Sequence, residues 1–246
     1  MIHSQRLLCL LTLAASTALA QQATQTGAAQ PDLKAVRVDF VPGEKTIFFD
    51  DFSDMATDEP PPHWKVRGGT AELRAGGSTR QLTFATTSMT AVPNLAGLPK
   101  NFTLEAALKF DNPGGNGGAA IWRFLRKDGN QTLLVKILVQ NQGEEGKNSW
   151  FEVVVGDPTE NAERIGYVHT GLDWNQSCQL ALWAQDGRIR LYSNGVRLVD
   201  VNQIKLDEIA SVDFLIELDD EPNTAIGLRS VRIAESAPDL SKTIVS

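Results

Sequence analysis

Three carboxylates near the end of the chain have a spacing that could support acid–base chemistry. Glu217, Asp219 and Glu221 alternate along the segment ELDDE. Residues two apart on a β-strand share a face, so Glu217 and Glu221 could act as nucleophile and general acid with Asp219 between them. A retaining glycoside hydrolase holds such a pair about 5–5.5 Å apart. The segment therefore supports the hypothesis that the protein is a glycoside hydrolase.

The sequence around these carboxylates favours a different interpretation, an acidic strand end and loop. Pro222-Asn223 follows directly and predicts a turn that begins near Asp219. The preceding segment 211–218 alternates as a strand should, with its apolar side formed by Val212, Phe214, Ile216 and Leu218. We therefore predict no catalytic residue and keep the hydrolase as an alternative.

A second candidate site lies in the segment 178–201, which predicts a three-stranded antiparallel meander. Asp186-Gly187 and Asn194-Gly195 suit two-residue type I′ turns, whose central residues need positive φ. The turns fix a register with the cross-strand pairs Leu182–Leu191, Trp183–Arg190, Tyr192–Arg197 and Leu191–Leu198. One face then carries the leucines, including Leu180, for a core. The other carries Trp183, Arg190, Tyr192 and Arg197.

The aromatic and basic face of this meander is the predicted ligand-binding site. Sugar rings stack their apolar C–H faces on aromatic side chains, and arginine donates hydrogen bonds to hydroxyl groups. Trp183, Arg190, Tyr192 and Arg197 offer that combination, and Arg123 is expected to join them from another strand. The alternative is a structural one, in which Trp183 stacks on Arg190 as a cross-strand pair or is covered by a loop.

The sequence contains no set of ligand residues with the spacing of a known metal-binding motif. A structural calcium ion is an open alternative, because Asp50, Asp51 and Asp54 near the first strand could join Asp219 and Asp220 before the last one. Zinc is poorly supported, since few histidines and cysteines are present. We expect no other cofactor.

Sequence patterns at the two ends of the chain predict a processed segment and flexible linkers. Residues 1–20 combine Arg6, an apolar run and Ala18-Leu19-Ala20, which predicts a secretory signal peptide. Residues 21–35 are small and polar, as in a disordered linker, and 235–246 are expected to form a flexible tail. The formal net charge of −7, with no basic run, argues against nucleic-acid binding. No membrane span is expected after cleavage.

The region 36–234 predicts an all-β domain. Short alternating segments recur about every ten residues and are separated by Gly, Pro, Asn and Asp clusters, which is typical of a sandwich of two antiparallel sheets. The expected strands are 35–40, 46–52, 70–74, 80–86, 102–110, 118–126, 131–140, 149–156, 164–170, the meander, 211–218 and 225–234.

The segments DFVPGEKTIFFDDFSD, LPKNFTLEAAL and YSNGVRL resemble the concanavalin A-like (laminin G-like) β-sandwich domains of bacterial envelope proteins, which are often fused to an OmpA-like domain. The resemblance implies a jelly roll in the periplasm, the outer-membrane compartment or the extracellular space. Laminarinase-type hydrolases share this fold, but carry an apolar residue where Asp220 stands here.

We therefore predict an exported, non-enzymatic module that binds carbohydrate or an envelope component. The alternatives are a laminarinase-type glycoside hydrolase using Glu217 and Glu221, and a structural or adhesion domain without a small ligand. The identity of the ligand and the oligomeric state stay open at this point.

Overall fold

The computed structural model describes residues 40–237, apart from 58, 60, 70, 77–78, 85–88, 94, 112–116, 141–148, 173–176 and 219–224. The predicted signal peptide, the whole of the predicted linker and 238–246 of the tail lie outside these residues. All regular elements in the described part are β-strands. It therefore contains no helix with the length and apolarity needed to cross a bilayer.

The described residues form fifteen strands. In chain order these are β1 Lys45–Asp50, β2 Trp64–Val66, β3 Ala71–Gly76, β4 Thr79–Phe84, β5 Met89–Pro93, β6 Phe102–Asp111, β7 Gly117–Leu125, β8 Gln131–Gln140, β9 Ser149–Val155, β10 Glu163–Thr170, β11 Ser177–Gln185, β12 Arg188–Ser193, β13 Val196–Val201, β14 Ser211–Leu218 and β15 Ala225–Glu235. Every predicted strand that lies within the described residues is present, whereas the predicted strand 35–40 lies outside them except for Phe40. The short strands β2 and β5 were not predicted.

The strands form two antiparallel sheets packed face to face. The eight-stranded sheet runs β13-β12-β11-β6-β15-β4-β3, with β1 also paired to β15. The seven-stranded sheet runs β10-β9-β8-β7-β14-β5-β2. Their facing sides form one apolar core, with Phe102 and Leu182 from the first sheet and Trp122 and Phe214 from the second. The predicted all-β sandwich of two antiparallel sheets is confirmed.

The meander forms with the predicted turns. Asp186, Gly187, Asn194 and Gly195 all have positive φ, as type I′ turns require. The first hairpin has the predicted register, with Trp183 opposite Arg190 and Leu182 opposite Leu191. Cys178, the second residue of β11, lies in the core, where burial raises the pKa of its thiol to about 11.

The second hairpin corrects one predicted pair. Tyr192 lies opposite Arg197 as expected, but Leu191 lies opposite Val199 and not opposite Leu198. A β-bulge between these pairs adds one residue to β13. Val199 is therefore buried in the core, while Leu198 is only half-buried against its edge.

Candidate functional site

The predicted meander site lies on the outer face of the eight-stranded sheet, where other side chains cover it. The Arg190 guanidinium stacks over Trp183, 4.6 Å from the ring centroid. Phe40 lies with its ring centroid 5.4 Å from that of Tyr192 and 6.4 Å from that of Trp183. Tyr192 is only 1% exposed as a result. This arrangement matches the structural alternative: Trp183 and Arg190 stack as a cross-strand pair, and the segment that carries Phe40 covers the ring of Tyr192.

The chain before β1 runs over the same face. The Gly43 N–H donates to Thr103 Oγ1 at 2.9 Å, and the Arg232 side chain donates to the Gly43 carbonyl at 2.7 Å. These bonds fix the stretch that carries Phe40. Little aromatic surface is left open around Trp183.

The arginines of the meander share an acidic partner that the sequence analysis did not identify. Arg188 donates two hydrogen bonds to the Asp200 carboxylate at 2.6 and 2.7 Å. Arg190 and Arg197 lie 3.6 and 3.1 Å from the same carboxylate. Hydrogen bonding from Arg188 is the main reason that the pKa of Asp200 is lowered. The bulge in β13 places Asp200 opposite Arg190, so the uncorrected register could not show this cluster.

Arg123 does not join the meander. It lies on β7, in the other sheet, directly opposite Asp213 on β14. The Arg123 Nη2 group donates to Asp213 Oδ2 at 3.0 Å. The expected grouping of Arg123 with Trp183 is therefore wrong, because sequence alone does not tell which sheet receives a strand.

The outer face of the seven-stranded sheet brings together a different set of side chains. The strand registers place them in three rows across β14, β7, β8, β9 and β10. The first row is Asp213, Arg123, Leu134, Val154 and Arg164. The second is Leu215, Ile121, Lys136, Glu152 and Tyr167, and the third is Glu217, Ala119, Leu138, Trp150 and His169.

A cleft of about 310 Å³ lies in the middle of this outer face. Its floor is aliphatic and its sides carry groups that can hydrogen-bond. Lys136 donates to Glu217 at 3.0 Å, so the cation and the carboxylate are already paired. The lining residues are Ile121, Arg123, Gln131, Leu134, Lys136, Glu152, Val154, Pro158, Leu215 and Glu217.

One edge of the same face carries three clustered rings, which we call the aromatic group: Trp150, Tyr167 and His169. The ring centroid of Trp150 lies 5.9 Å from that of Tyr167 and 6.2 Å from that of His169. Tyr167 and His169 meet edge to face at 5.3 Å. Tyr167 is 43% exposed, and the Arg164 guanidinium lies 5.1 Å from its centroid. This edge offers an open aromatic platform beside the polar cleft.

The alternation within two segments of the sequence already indicates the side of the sheet on which the aromatic group lies. SWFEVVV places Trp150 and Glu152 on the side opposite Phe151, and ERIGYVHT places Tyr167 and His169 on one side. Their pairing was not readable, because a long connection joins β9 to β10 and the register shifts between Arg164 and Gly166.

The three carboxylates of the hydrolase hypothesis are only partly placed. Glu217 lies on the outer face beside the cleft, near the end of β14, and the predicted turn after it lies outside the described residues. Asp219 and Glu221 lie outside the described residues. Strand geometry puts the Cα atoms of Glu217 and Asp213, the next acidic residue on this side of β14, about 13 Å apart. Catalytic carboxyl pairs need separations of about 5–9.5 Å.

The aspartates considered for calcium are used in local structure. Asp50 accepts from the Phe52 N–H at 2.7 Å and from Trp64 Nε1 at 2.8 Å. Its burial raises the pKa of its carboxyl group. Asp54 pairs with His63 at 2.9 Å. Among the described residues no three His, Cys, Asp or Glu side chains form a metal-binding group. Asp219 and Asp220 lie outside that part of the chain, so calcium stays a prediction.

A second cavity, of about 510 Å³, lies at one end of the sandwich. Buried aliphatic side chains such as Ile189 and Ile209 line its interior. Asp207 at its rim accepts from Arg126 at 3.1 Å. None of its described lining residues is aromatic. It therefore has less to offer a sugar than the aromatic group does.

Comparison with known proteins gives a fold but no relative by sequence. No protein-family model matches the chain, and no curated protein matches it. Solved structures, in contrast, do match the chain. The immunostimulatory antigen and pseudo β-1,3-glucanase of Mycobacterium tuberculosis is similar, with a TM-score of 0.57 and 14% identity over 79% of this chain and 100% of that one.

Two further structures share the architecture. The Crh5 transglycosylase, solved with NAG, has a TM-score of 0.55 and 12% identity over 81% of this chain and 89% of that one. The exoplasmic/lumenal domain of VIP36, solved with Ca²⁺ and Man3GlcNAc, has a TM-score of 0.55 and 9% identity over 75% of this chain and 89% of that one. The chain therefore has the concanavalin A-like jelly-roll fold that its sequence resembles.

Proposed function

We propose that this chain is an exported, non-enzymatic carbohydrate-binding module whose site is the outer face of the seven-stranded sheet. The observation that carries the proposal is the aromatic group, which stands open beside a cleft with an aliphatic floor and hydrogen-bonding sides. Aromatic rings suit the C–H faces of sugars, and the polar groups of Lys136, Glu152 and Glu217 suit their hydroxyls.

The site therefore differs from the one predicted on the meander. Phe40 and Arg190 cover the rings of Tyr192 and Trp183, whereas Tyr167 is exposed. The similar VIP36 domain was solved with Man3GlcNAc bound and the similar transglycosylase with NAG, which supports carbohydrate as the ligand class. Export rests on the signal-like segment 1–20, and an envelope component is the expected source of the glycan.

The geometry favours carbohydrate binding without hydrolysis over the glycoside hydrolase alternative. Lys136 pairs with Glu217, the one member of the predicted catalytic run in the described residues. A carboxylate that already accepts from an ammonium group has one oxygen occupied within the fold, so Glu217 is less free to act on a sugar. The hydrolase alternative has a simple test, which is release of reducing sugar from laminarin and its loss in Glu217→Gln.

The test of the binding proposal compares two exposed aromatic residues. Tyr167→Ala removes a ring from the aromatic group. Phe49→Ala removes one that is 53% exposed on β1, in the other sheet. Both variants are applied with the wild type to a glycan array of neutral and acidic oligosaccharides. We expect Tyr167→Ala to lose the wild-type signals and Phe49→Ala to keep them. A wild-type chain that binds no glycan, or equal signals from both variants, would contradict the proposal.

A further inference from the structure

Within the described residues, two buried polar atoms on the outer face of the seven-stranded sheet have no hydrogen-bond partner. Asp213 is 2% exposed, and its Oδ2 atom accepts from Arg123 Nη2 at 3.0 Å, with Arg67 Nη1 at 4.0 Å. Asp213 Oδ1 and Arg123 Nε are shielded from water, and neither has a hydrogen-bond partner among the described residues. Buried polar groups are almost always bonded, so an open acceptor on Asp213 and an open donor on the Arg123 side chain that pairs with it call for an explanation.

We infer that Asp213 and Arg123 form a subsite that recognises a sugar hydroxyl; this rests on the proposed function. A hydroxyl group both donates and accepts, so it can donate to Asp213 Oδ1 and accept from the Arg123 Nε–H. A carboxylate only accepts and an ammonium only donates. The subsite therefore favours a sugar unit that presents a hydroxyl group at this point over one that presents a carboxylate or an ammonium group.

The side chains around this pair allow a ligand to reach it. Arg123 lines the cleft, and its side chain is 34% exposed. Arg67 is 51% exposed and lies beyond hydrogen-bond distance from Asp213. The Arg67 guanidinium makes no hydrogen bond to Asp213 at this distance, so a ligand can displace it without breaking one. A sugar unit entering from the cleft then replaces it over the carboxylate.

The subsite is distant from the aromatic group. Asp213 and Trp150 are two rows and three strands apart on the outer face. With about 3.3 Å per residue and 4.8 Å per strand, their Cα atoms are about 19 Å apart. A disaccharide on Trp150 cannot reach Asp213, whereas a longer oligosaccharide lying across the cleft can. The contribution of Asp213 should therefore depend on ligand length.

Titration calorimetry with oligosaccharides of two to six units tests this inference. The probes are laminari- and chito-oligosaccharides, with oligogalacturonates as acidic counterparts. We expect Asp213→Asn to weaken hexasaccharide binding about tenfold, since a charged acceptor becomes neutral, and to leave disaccharide binding unchanged. Neutral hexasaccharides should bind the wild type more tightly than the acidic ones do. Arg123→Lys, which keeps the charge but lacks the Nε–H, should also weaken hexasaccharide binding.

Two controls separate the possible failures. Glu105→Gln alters a carboxylate that accepts from Arg232 at 2.8 Å on the other sheet, so it should change no affinity. Trp150→Ala should weaken ligands of every length. If Trp150→Ala loses binding while Asp213→Asn and Arg123→Lys bind hexasaccharides like the wild type, the subsite is wrong and the proposed function stands. If the wild type binds none of the probes, both are wrong.

Discussion

Trp150 and His169 lie directly opposite each other across β9 and β10, with their ring centroids 6.2 Å apart on the solvent side of the sheet. Their neighbours Phe151 and Val168 turn the other way, and Phe151 is fully buried. One strand pair thus serves the core with alternate residues and presents rings to solvent with the others. Removing a ring from the core side should therefore lower the free energy of unfolding more than removing one from the solvent side.

Substitutions at adjacent positions of β9 test this division. Phe151→Ala should cost about 3–5 kcal/mol of unfolding free energy, as truncation of a buried aromatic usually does. Trp150→Ala should cost only about 1 kcal/mol, because it loses mainly cross-strand contacts. Urea denaturation measures both. Equal losses would show that Trp150 is part of the core, which would remove the basis for a binding role.

The bulge in β13 predicts a contrast between two leucines of the meander. Leu191→Ala should cost about 2–5 kcal/mol, the usual range for a buried leucine. Leu198→Ala should cost about 1 kcal/mol, since a half-buried side chain loses less apolar contact. Denaturant midpoints of the two variants measure the difference. If Leu198→Ala is as costly as Leu191→Ala, the bulge is misplaced and the original register is correct.

The turn dipeptides made most of the meander predictable, and they illustrate where prediction from sequence ends. Asp186-Gly187 and Asn194-Gly195 act locally, so they set the pairing of Trp183 with Arg190 correctly. The bulge beside Leu198 has no such local mark. The cover over Tyr192 comes from Phe40, about 150 residues away in sequence, and only the folded chain brings them together.

The candidate site was harder to predict for a related reason. Alternation showed which residues of β14 face away from the core, Asp213 among them. It did not show that Arg123 lies opposite Asp213, or that Trp150 lies opposite His169. Those neighbours depend on strand order within a sheet, which is set by contacts between distant segments.

Gly166 is expected to be essential for the edge that carries Tyr167. A Cβ atom at Gly166 would come within 2.6 Å of Val199 Cγ2 on β13, so the Val199 side chain and the strand must shift. Gly166→Ala should therefore cost about 1–3 kcal/mol through overpacking. Gly171→Ala is the control, because its Cβ would meet nothing within 4 Å. Thermal unfolding of the two variants measures this, and similar melting temperatures would contradict it.

Asp200 should make the stability depend on pH in acid. Bonding to Arg188 lowers its pKa in the folded state below the ordinary 3.8. A lowered pKa means that the folded state binds the proton less readily, so the stabilisation is complete above pH 3.8 and is lost as pH falls through the folded value. Asp200→Asn should be less stable than wild type at pH 7, and the difference should shrink at pH 3. A difference independent of pH would contradict this.

The central claim, that glycan binds at the aromatic group, is tested most directly by the indole N–H signals of ¹⁵N-labelled protein. The signals of Trp150 and Trp183 are assigned with single Trp→Phe variants, and the spectrum is followed as a glycan selected on the array is added. We expect the Trp150 signal to shift with saturation and the Trp183 signal, under Arg190 and Phe40, to stay in place. A shift of Trp183 with Trp150 unchanged would place the ligand on the meander and contradict the account.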